Sequence, residues 1–199
     1  MSQPAPPFSF GTPQNHQFAE FLYIPNVLLP HEIDQVTNLW KADQAADAGV
    51  SGEGNAIKDD LRKTSILGLE NVPEHRFLYE KLAMYAVQCN TERYGFDVHG
   101  FMEPLQLMTY GHHDFFDWHL DFGVGVNSGR KLSMTIQLSD ADEYEGGELQ
   151  FMINQNVVSA PKDKGTMIVF PSFILHRVNP VTSGTRKSIV GWVGGPPYR

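Results

Sequence analysis

The 199-residue chain carries 15 Lys and Arg against 23 Asp and Glu, a formal net charge of −8, with 41% hydrophobic and 19% charged residues. That length holds one domain with a sizeable core, and the acidic balance argues against nucleic acid, whose phosphate backbone is bound through clustered Lys and Arg. The single cysteine, Cys89, excludes an internal disulfide and a thiolate zinc cage, and no apolar run reaches the length of a bilayer span.

Residues 1–17 read as a flexible leader rich in Pro, Ser and Gln, without the basic segment and apolar run of a signal peptide. A soluble, cytoplasmic protein is therefore expected, with one domain over 18–199: helical support at 30–95 and a β-rich core at 100–194. Phe21 to Pro25 looks like a short strand halted by proline. Pro30 opens an amphipathic helix with Ile33, Val36, Leu39 and Trp40 on one face. From Lys41 to Asp60 the pattern dissolves into Ala, Asp, Gly and Ser, a surface loop or alternatively a substrate-facing lid. Pro73 starts a second helix whose stripe of Leu78, Leu82, Tyr85 and Cys89 is a core face, and Gly95 ends it.

After Gly100 the periodicity changes to two. Leu105, Leu107 and Thr109 alternate with Gln106, Met108 and Tyr110, and Leu132, Met134, Ile136 and Leu138 with Ser133, Thr135, Gln137 and Ser139. Further short strands are expected around Glu148–Phe151, 156–160, 166–170, 173–178 and 186–193, punctuated by Gly146-Gly147, Gly165 and Pro171-Ser172. Two helices followed by about eight short strands predict a mainly β fold with flanking helices, an antiparallel jelly-roll barrel with the helices packed outside.

Within that core, Trp118-His119-Leu120-Asp121-Phe122 stands out. In an extended strand His119 and Asp121 share a face, about 7 Å apart along the backbone, and Trp118, Leu120 and Phe122 point the other way. One metal ion could bridge the imidazole and the carboxylate. With 8 His and 23 acidic residues, chance alone supplies about one His-x-acid pair, and His112-x-Asp114 is a rival. The rival follows Gly111 among polar residues and reads as a turn. His176, in the strand-like Ile174–Val178, is either an ordinary core histidine or the third ligand. Two imidazoles and one carboxylate suit non-haem Fe(II) with open positions, and also a catalytic zinc. Arg186 and Ser188 share one face of the last strand, and a guanidinium turned inward there requires an anion, whether a protein carboxylate or a ligand's. The alternative is a surface arginine beside Lys187.

Taken together, Tyr23-Ile24-Pro25-Asn26-Val27-Leu28, Leu138-Ser139-Asp140, Glu145-Gly146-Gly147-Glu148-Leu149, Val169-Phe170-Pro171-Ser172, His176, Pro180-Val181-Thr182, Arg186 and Trp192 form an ordered series. In it the chain resembles the 2-oxoglutarate/Fe(II)-dependent dioxygenases, specifically the PKHD-type hydroxylases of the prolyl 4-hydroxylase-like group. The resemblance implies a double-stranded β-helix of the cupin-like jelly-roll kind. It implies iron on His119, Asp121 and His176, which carry the catalysis, and Arg186 gripping the distal carboxylate of 2-oxoglutarate. Tyr110 is implied as a hydrogen-bond donor to the cosubstrate, and Thr135, Gln137 and Ser188 as pocket residues. Fe(II), 2-oxoglutarate and O2 follow as cofactors and cosubstrates, with ascorbate as a supporting reductant. The implied reaction hydroxylates a C–H bond, foremost a prolyl residue in a peptide or protein, with release of succinate and CO2. A free amino acid or other small molecule is the second candidate substrate, and a non-catalytic metal- or 2-oxoglutarate-binding sensor the candidate from another class. The DNA-repair branch fits poorly, because its Arg-x-Asn pattern is absent after Arg186.

Overall fold

The computed structural model describes residues 18–40, 45–47 and 61–198. The chain enters through β1 (Leu22–Ile24) and α1 (Pro30–Thr37), adds β2 (Ala46–Asp47), β3 (Arg62–Lys63) and β4 (Ser65–Leu69), and then forms α2 (Arg76–Cys89). Next come β5 (Gly100–Phe101), β6 (Leu105–Tyr110), β7 (Phe115–His119), β8 (Arg130–Gln137), β9 (Tyr144–Gly146) and β10 (Leu149–Ile153). The chain closes with β11 (Asn156–Ser159), β12 (Met167–Pro171), β13 (His176–Val178), β14 (Val181–Gly184) and β15 (Arg186–Gly194). One sheet runs β1-β12-β8-β15-β6-β4-β2 with β5 on β15, a second runs β11-β10-β13-β7-β3, and β14-β9 form a small ribbon. All pairings are antiparallel. The two large sheets face each other as a double-stranded β-helix, without hydrogen-bonded closure into a continuous barrel among the described residues.

Period two decides what lies where. Leu132, Met134 and Ile136 of β8, Met167 and Val169 of β12 and Leu105 and Leu107 of β6 turn to one side. There they meet Ile33 and Val36 of α1 and Leu78, Leu82 and Cys89 of α2 in one core. A second core, with Met108, Tyr110, Leu149, Phe151, Phe170 and Trp192, fills the space between the sheets. β8 is buried on both faces apart from its first residue. Its alternating Ser133, Thr135 and Gln137 therefore face the interior between the sheets, where strand alternation more often puts solvent. Burying that many polar side chains costs free energy unless each finds a partner, so this is where a site should be sought.

The structure departs from the sequence expectations in several places. α1 stops at Thr37, whose Oγ1 hydroxyl donates back to the Ile33 carbonyl at 3.0 Å, and Leu39 and Trp40 pack on the core from beyond the helix. α2 starts at Arg76, because Pro73 lies in the preceding turn. It runs on through one wide turn, Asn90–Tyr94, to Gly95, whose φ of 64° ends it as expected. β3 and β4 occupy a stretch that the hydrophobic pattern left unassigned, and β5, β9 and β14 are too short to show a period. Within 41–60, Ala46–Asp47 is an edge strand on β4; the remainder of that expected loop or lid, and the leader at 1–17, lie outside the described residues. Among the described residues no helix is long and apolar enough to cross a membrane.

Candidate active site

β7 and β13 are paired so that His176 stands directly opposite His119. β7 ends at His119 and the chain turns immediately, so Asp121 lies just past the strand rather than on it. The expected apolar anchoring face does not form as such. Leu120 is exposed, Trp118 lies under the Arg177 guanidinium, and Phe122 meets Tyr198 edge-on. The turn nevertheless brings one donor atom each from His119, Asp121 and His176 within 4.8 Å of one another. His119 Nε2 is 3.7 Å from Asp121 Oδ1, and His176 Nε2 is 3.5 Å from Asp121 Oδ2. His112 is exposed and lies tilted against the His113 ring in the turn after β6, so the rival pair joins no such cluster.

The tautomers follow from the partners. His119 Nδ1 is 2.7 Å from the Asp117 carbonyl and His176 Nδ1 is 2.9 Å from that of Ile174. A carbonyl only accepts, so both Nδ1 atoms carry the proton and both Nε2 lone pairs point at the centre. Two lone pairs and a carboxylate thus converge in a buried space with no proton between them, an arrangement that calls for a cation. Nitrogen and oxygen donors at such separations fit an ion about 2 Å from each. Burial, then the neighbouring His176, hold His119 far below the ordinary histidine range, against the pull of Asp121. Burial opposes ionisation of Asp121, but His176, His119 and the Ser133 hydrogen bond outweigh it and hold the carboxyl below its usual range.

These shifts set a pH dependence. Below about pH 6.5 an unfolded histidine takes up a proton that native His119 refuses, so the metal-free protein loses stability as pH falls through that point. Proton competition with the metal at His119 likewise begins only at lower pH. Iron occupancy is expected to stay level from about pH 8 to 6 and to fall below that. Metal analysis after equilibration at each pH checks this; release already between pH 8 and 7 would contradict it.

Asp121 is held from behind by residues that the sequence pattern did not single out. Ser133 Oγ donates to Asp121 Oδ2 at 2.6 Å and is 3.0 Å from Ser172 Oγ. Having given its proton to the carboxylate, Ser133 must accept from Ser172. Arg130 makes a two-pronged pair with Glu103 at 2.7 Å, lies 3.9 Å over the Trp192 ring and donates to the Asp121 backbone carbonyl. Partners behind a metal ligand commonly contribute about 10- to 100-fold in affinity, so Ser133→Ala is expected to weaken metal binding by that order and Ser133→Thr by less. Competitive chelator titration measures both; Ser133→Ala at wild-type affinity would remove the buttress.

Arg186 is 1% exposed and faces the same pocket. Register places it opposite Tyr110, with Ser188 beside both Gln137 and Met108. Its Nη2 donates to Gln137 Oε1 at 3.0 Å and its Nη1 to Ser188 Oγ at 3.3 Å, while Nε has no partner. No carboxylate pairs with it among the described residues. Tyr110 lies beneath the guanidinium, 5.3 Å from ring centroid to Cζ, and its hydroxyl points to Met108 Sδ at 3.5 Å. Behind Arg186, Gly147 has φ of 63°, and a Cβ there would sit 3.2 Å from Arg186 Cδ and 3.0 Å from a Val181 methyl. The Gly-Gly turn is thus a condition for the arginine's placement. Thr135 lines the pocket; Gln137 reaches it only through Arg186. Phe116, from the same strand as His119, also lines the pocket, stacked on that imidazole with centroids 3.4 Å apart.

The sequence profile of the 2OG-Fe(II) oxygenase superfamily matches residues 105–194, the span that holds the three metal donors, Tyr110 and Arg186. A PKHD-type hydroxylase of Burkholderia ambifaria is 30% identical over 180 residues, covering 86% of this chain and 77% of that protein. Another from a Synechococcus species is 41% identical over 80 residues, covering 40% of this chain and 36% of that protein. In fold the chain is similar to a prolyl hydroxylase from Trichoplax adhaerens, solved in complex with a hypoxia inducible factor oxygen degradation domain peptide fragment. The TM-score is 0.74 at 18% identity, covering 88% of this chain and 83% of that one. Fe(II), 2-oxoglutarate and O2 are the cofactors and cosubstrates of this superfamily, and the convergent donors and the carboxylate-free Arg186 suit them. The chain belongs to the PKHD-type hydroxylases of the 2-oxoglutarate/Fe(II) oxygenase superfamily.

Proposed function

We propose that this enzyme hydroxylates a prolyl residue in a peptide or protein, releasing succinate and CO2. The observation that carries this reading is one pocket holding three inward-facing metal donors and, on the opposite sheet, a buried arginine without a carboxylate. Support for a prolyl substrate comes from the fold shared with the peptide-bound Trichoplax enzyme.

His119, Asp121 and His176 would hold the iron, and their arrangement as one facial set leaves the other side free for cosubstrate and O2. When bound, iron and 2-oxoglutarate supply the oxidative decarboxylation that drives oxygen insertion into the C–H bond. The chain's own residues bind and orient. Arg186 offers its fork and unpartnered Nε to the distal carboxylate, and Gln137 and Ser188 hold that fork in plane. Tyr110 can turn its hydroxyl from the weak thioether acceptor of Met108 to an oxygen of the cosubstrate. Leu149, Phe170, Val178, Val190 and Trp192 exclude water from the remaining wall.

The test is anaerobic addition of Fe(II) and 2-oxoglutarate, followed by a proline-containing peptide and air. A visible charge-transfer absorption should appear before air, and peptide-stimulated succinate with hydroxyproline after it. Absence of the absorption would sink the cosubstrate assignment, and succinate without hydroxyproline the prolyl one.

A further inference from the structure

Arg62 is a second guanidinium of this region that no carboxylate among the described residues neutralises. β3 sets it opposite Phe116 of β7, and the residue is 9% exposed. Its guanidinium carbon lies 4.6 Å from the centroid of the Phe116 ring, the ring that stacks on His119. Nη2 has only Met108 Sδ, at 3.7 Å, and a thioether is a weak acceptor; Nε has no partner. Neighbouring cations are satisfied: Lys63 pairs with Asp114 at 3.2 Å and Arg130 with Glu103 at 2.7 Å. Phe116 and Met108, which Arg62 touches, both line the catalytic pocket. The guanidinium therefore sits against the residues of that wall, on the Phe116 ring that stacks with a metal-site histidine.

Charge accounting sharpens the point. Asp121 is the one carboxylate among the described residues that line the pocket. With divalent iron and dianionic 2-oxoglutarate in place, Asp121, Arg186 and Arg62 leave the assembly with a single uncompensated positive charge. A buried guanidinium without an anion is unfavourable, and folding alone gives no reason to keep it where methionine or leucine would pack. Burial already draws the Arg62 guanidinium below its ordinary pKa, only partly offset by Tyr110 and Asp121.

We propose that Arg62 is a subsite for a carboxylate carried by the prime substrate close to the hydroxylated carbon. This rests on the dioxygenase reading above and adds the substrate's charge to it. The carboxylate has two chemical sources: the α-carboxylate of a free or chain-terminal residue, or the side chain of an acidic residue flanking the target. A planar, always-charged fork suits either, and Arg62 approaches from β3 of one sheet whereas the cosubstrate anchor Arg186 approaches from β15 of the other.

The experiment is anaerobic calorimetric titration of the full chain loaded with Fe(II) and saturating 2-oxoglutarate, using two matched pairs of probes. N-acetyl-L-proline is compared with N-acetyl-L-prolinamide, and acetyl-Pro-Asp-amide with acetyl-Pro-Asn-amide. In at least one pair the carboxylate should bind about tenfold tighter, and the pair that shows it identifies the source. Arg62→Gln should reduce that preference to below about twofold, Arg62→Lys should retain part of it, and Fe(II) and 2-oxoglutarate affinities should stay at wild-type values. Equal binding within both pairs, or no binding by any probe, overturns the proposal. So does a preference that survives Arg62→Gln. Should Arg62→Gln fail to fold, as a thermal scan would show, Arg62→Met takes its place under the same criterion. Failure of the dioxygenase reading shows separately, as a wild-type protein that gives no Fe(II)–2-oxoglutarate absorption before any probe is added.

Discussion

Arg186→Ala is expected to abolish 2-oxoglutarate binding at ordinary cosubstrate concentrations while Fe(II) binding survives. The guanidinium is 1% exposed, makes two hydrogen bonds to neutral side chains, and keeps Nε free. Truncation would leave the cosubstrate carboxylate buried opposite neutral Gln137 and Ser188, a loss of about 2–5 kcal/mol. That corresponds to roughly 30- to 5,000-fold in affinity. Arg186→Lys keeps the charge but not the planar fork, and should fall between. Arg186→Met separates anchor from scaffold. It fills much of the same volume without burying an unpaired cation, so the metal-free variant is expected to melt at or above the wild-type temperature while binding no 2-oxoglutarate. Anaerobic titration of the charge-transfer absorption and thermal unfolding followed by circular dichroism read the two effects. Wild-type 2-oxoglutarate affinity in Arg186→Ala would remove the anchor; a collapsed Arg186→Met would make the arginine a structural residue.

The parts of this site that were legible in the sequence are those set by strand period and by turns. Arg186 and Ser188 share a face because β15 is regular over that stretch, and Gly146-Gly147 shows as a turn because only glycine tolerates its backbone there. His119 and Asp121 come together as read, but for a different reason: the strand ends at His119 and a turn brings the carboxylate round. The alternation of Ser133, Thr135 and Gln137 is visible in the period; its inward direction comes only with the family resemblance, which names Thr135 and Gln137 as pocket residues. A polar stripe opposite an apolar one ordinarily faces water, and whether it faces water or a pocket depends on a second sheet that no local pattern reveals. The role of Ser172 behind Asp121 and the placement of Arg62 likewise depend on pairings that no local pattern reveals. Ser172 acts on Asp121 through Ser133, 39 residues away in sequence, and Arg62 gains its position only when β3 pairs with β7. Elements of two or three residues, such as β3, β5 and β9, carry no period at all.

The triad itself gives the other large expected effect. Asp121 sits between two imidazoles whose Nδ1 protons are engaged by backbone carbonyls, so both Nε2 atoms offer lone pairs toward the carboxylate. Asp121→Ala, His119→Ala and His176→Ala are each expected to lose stoichiometric Fe(II), because two neutral or singly charged donors do not hold a hard divalent ion at micromolar concentrations. His112→Ala should keep it, since that ring is exposed and belongs to no donor cluster. Loss of metal could also follow from loss of the turn after β7, and Asp121→Asn distinguishes the two. Its amide carbonyl can still accept from Ser133, and its NH2 can donate to an imidazole lone pair, so the metal-free fold should be kept or tightened. Neutralising the carboxylate should nevertheless eliminate iron binding. Iron stoichiometry after anaerobic loading and desalting, beside the thermal midpoint of each metal-free variant, gives the answer. Asp121→Asn that folds as the wild type and binds no iron identifies a metal ligand. Iron retained in Asp121→Asn, or lost in His112→Ala, would mean that the donors lie elsewhere.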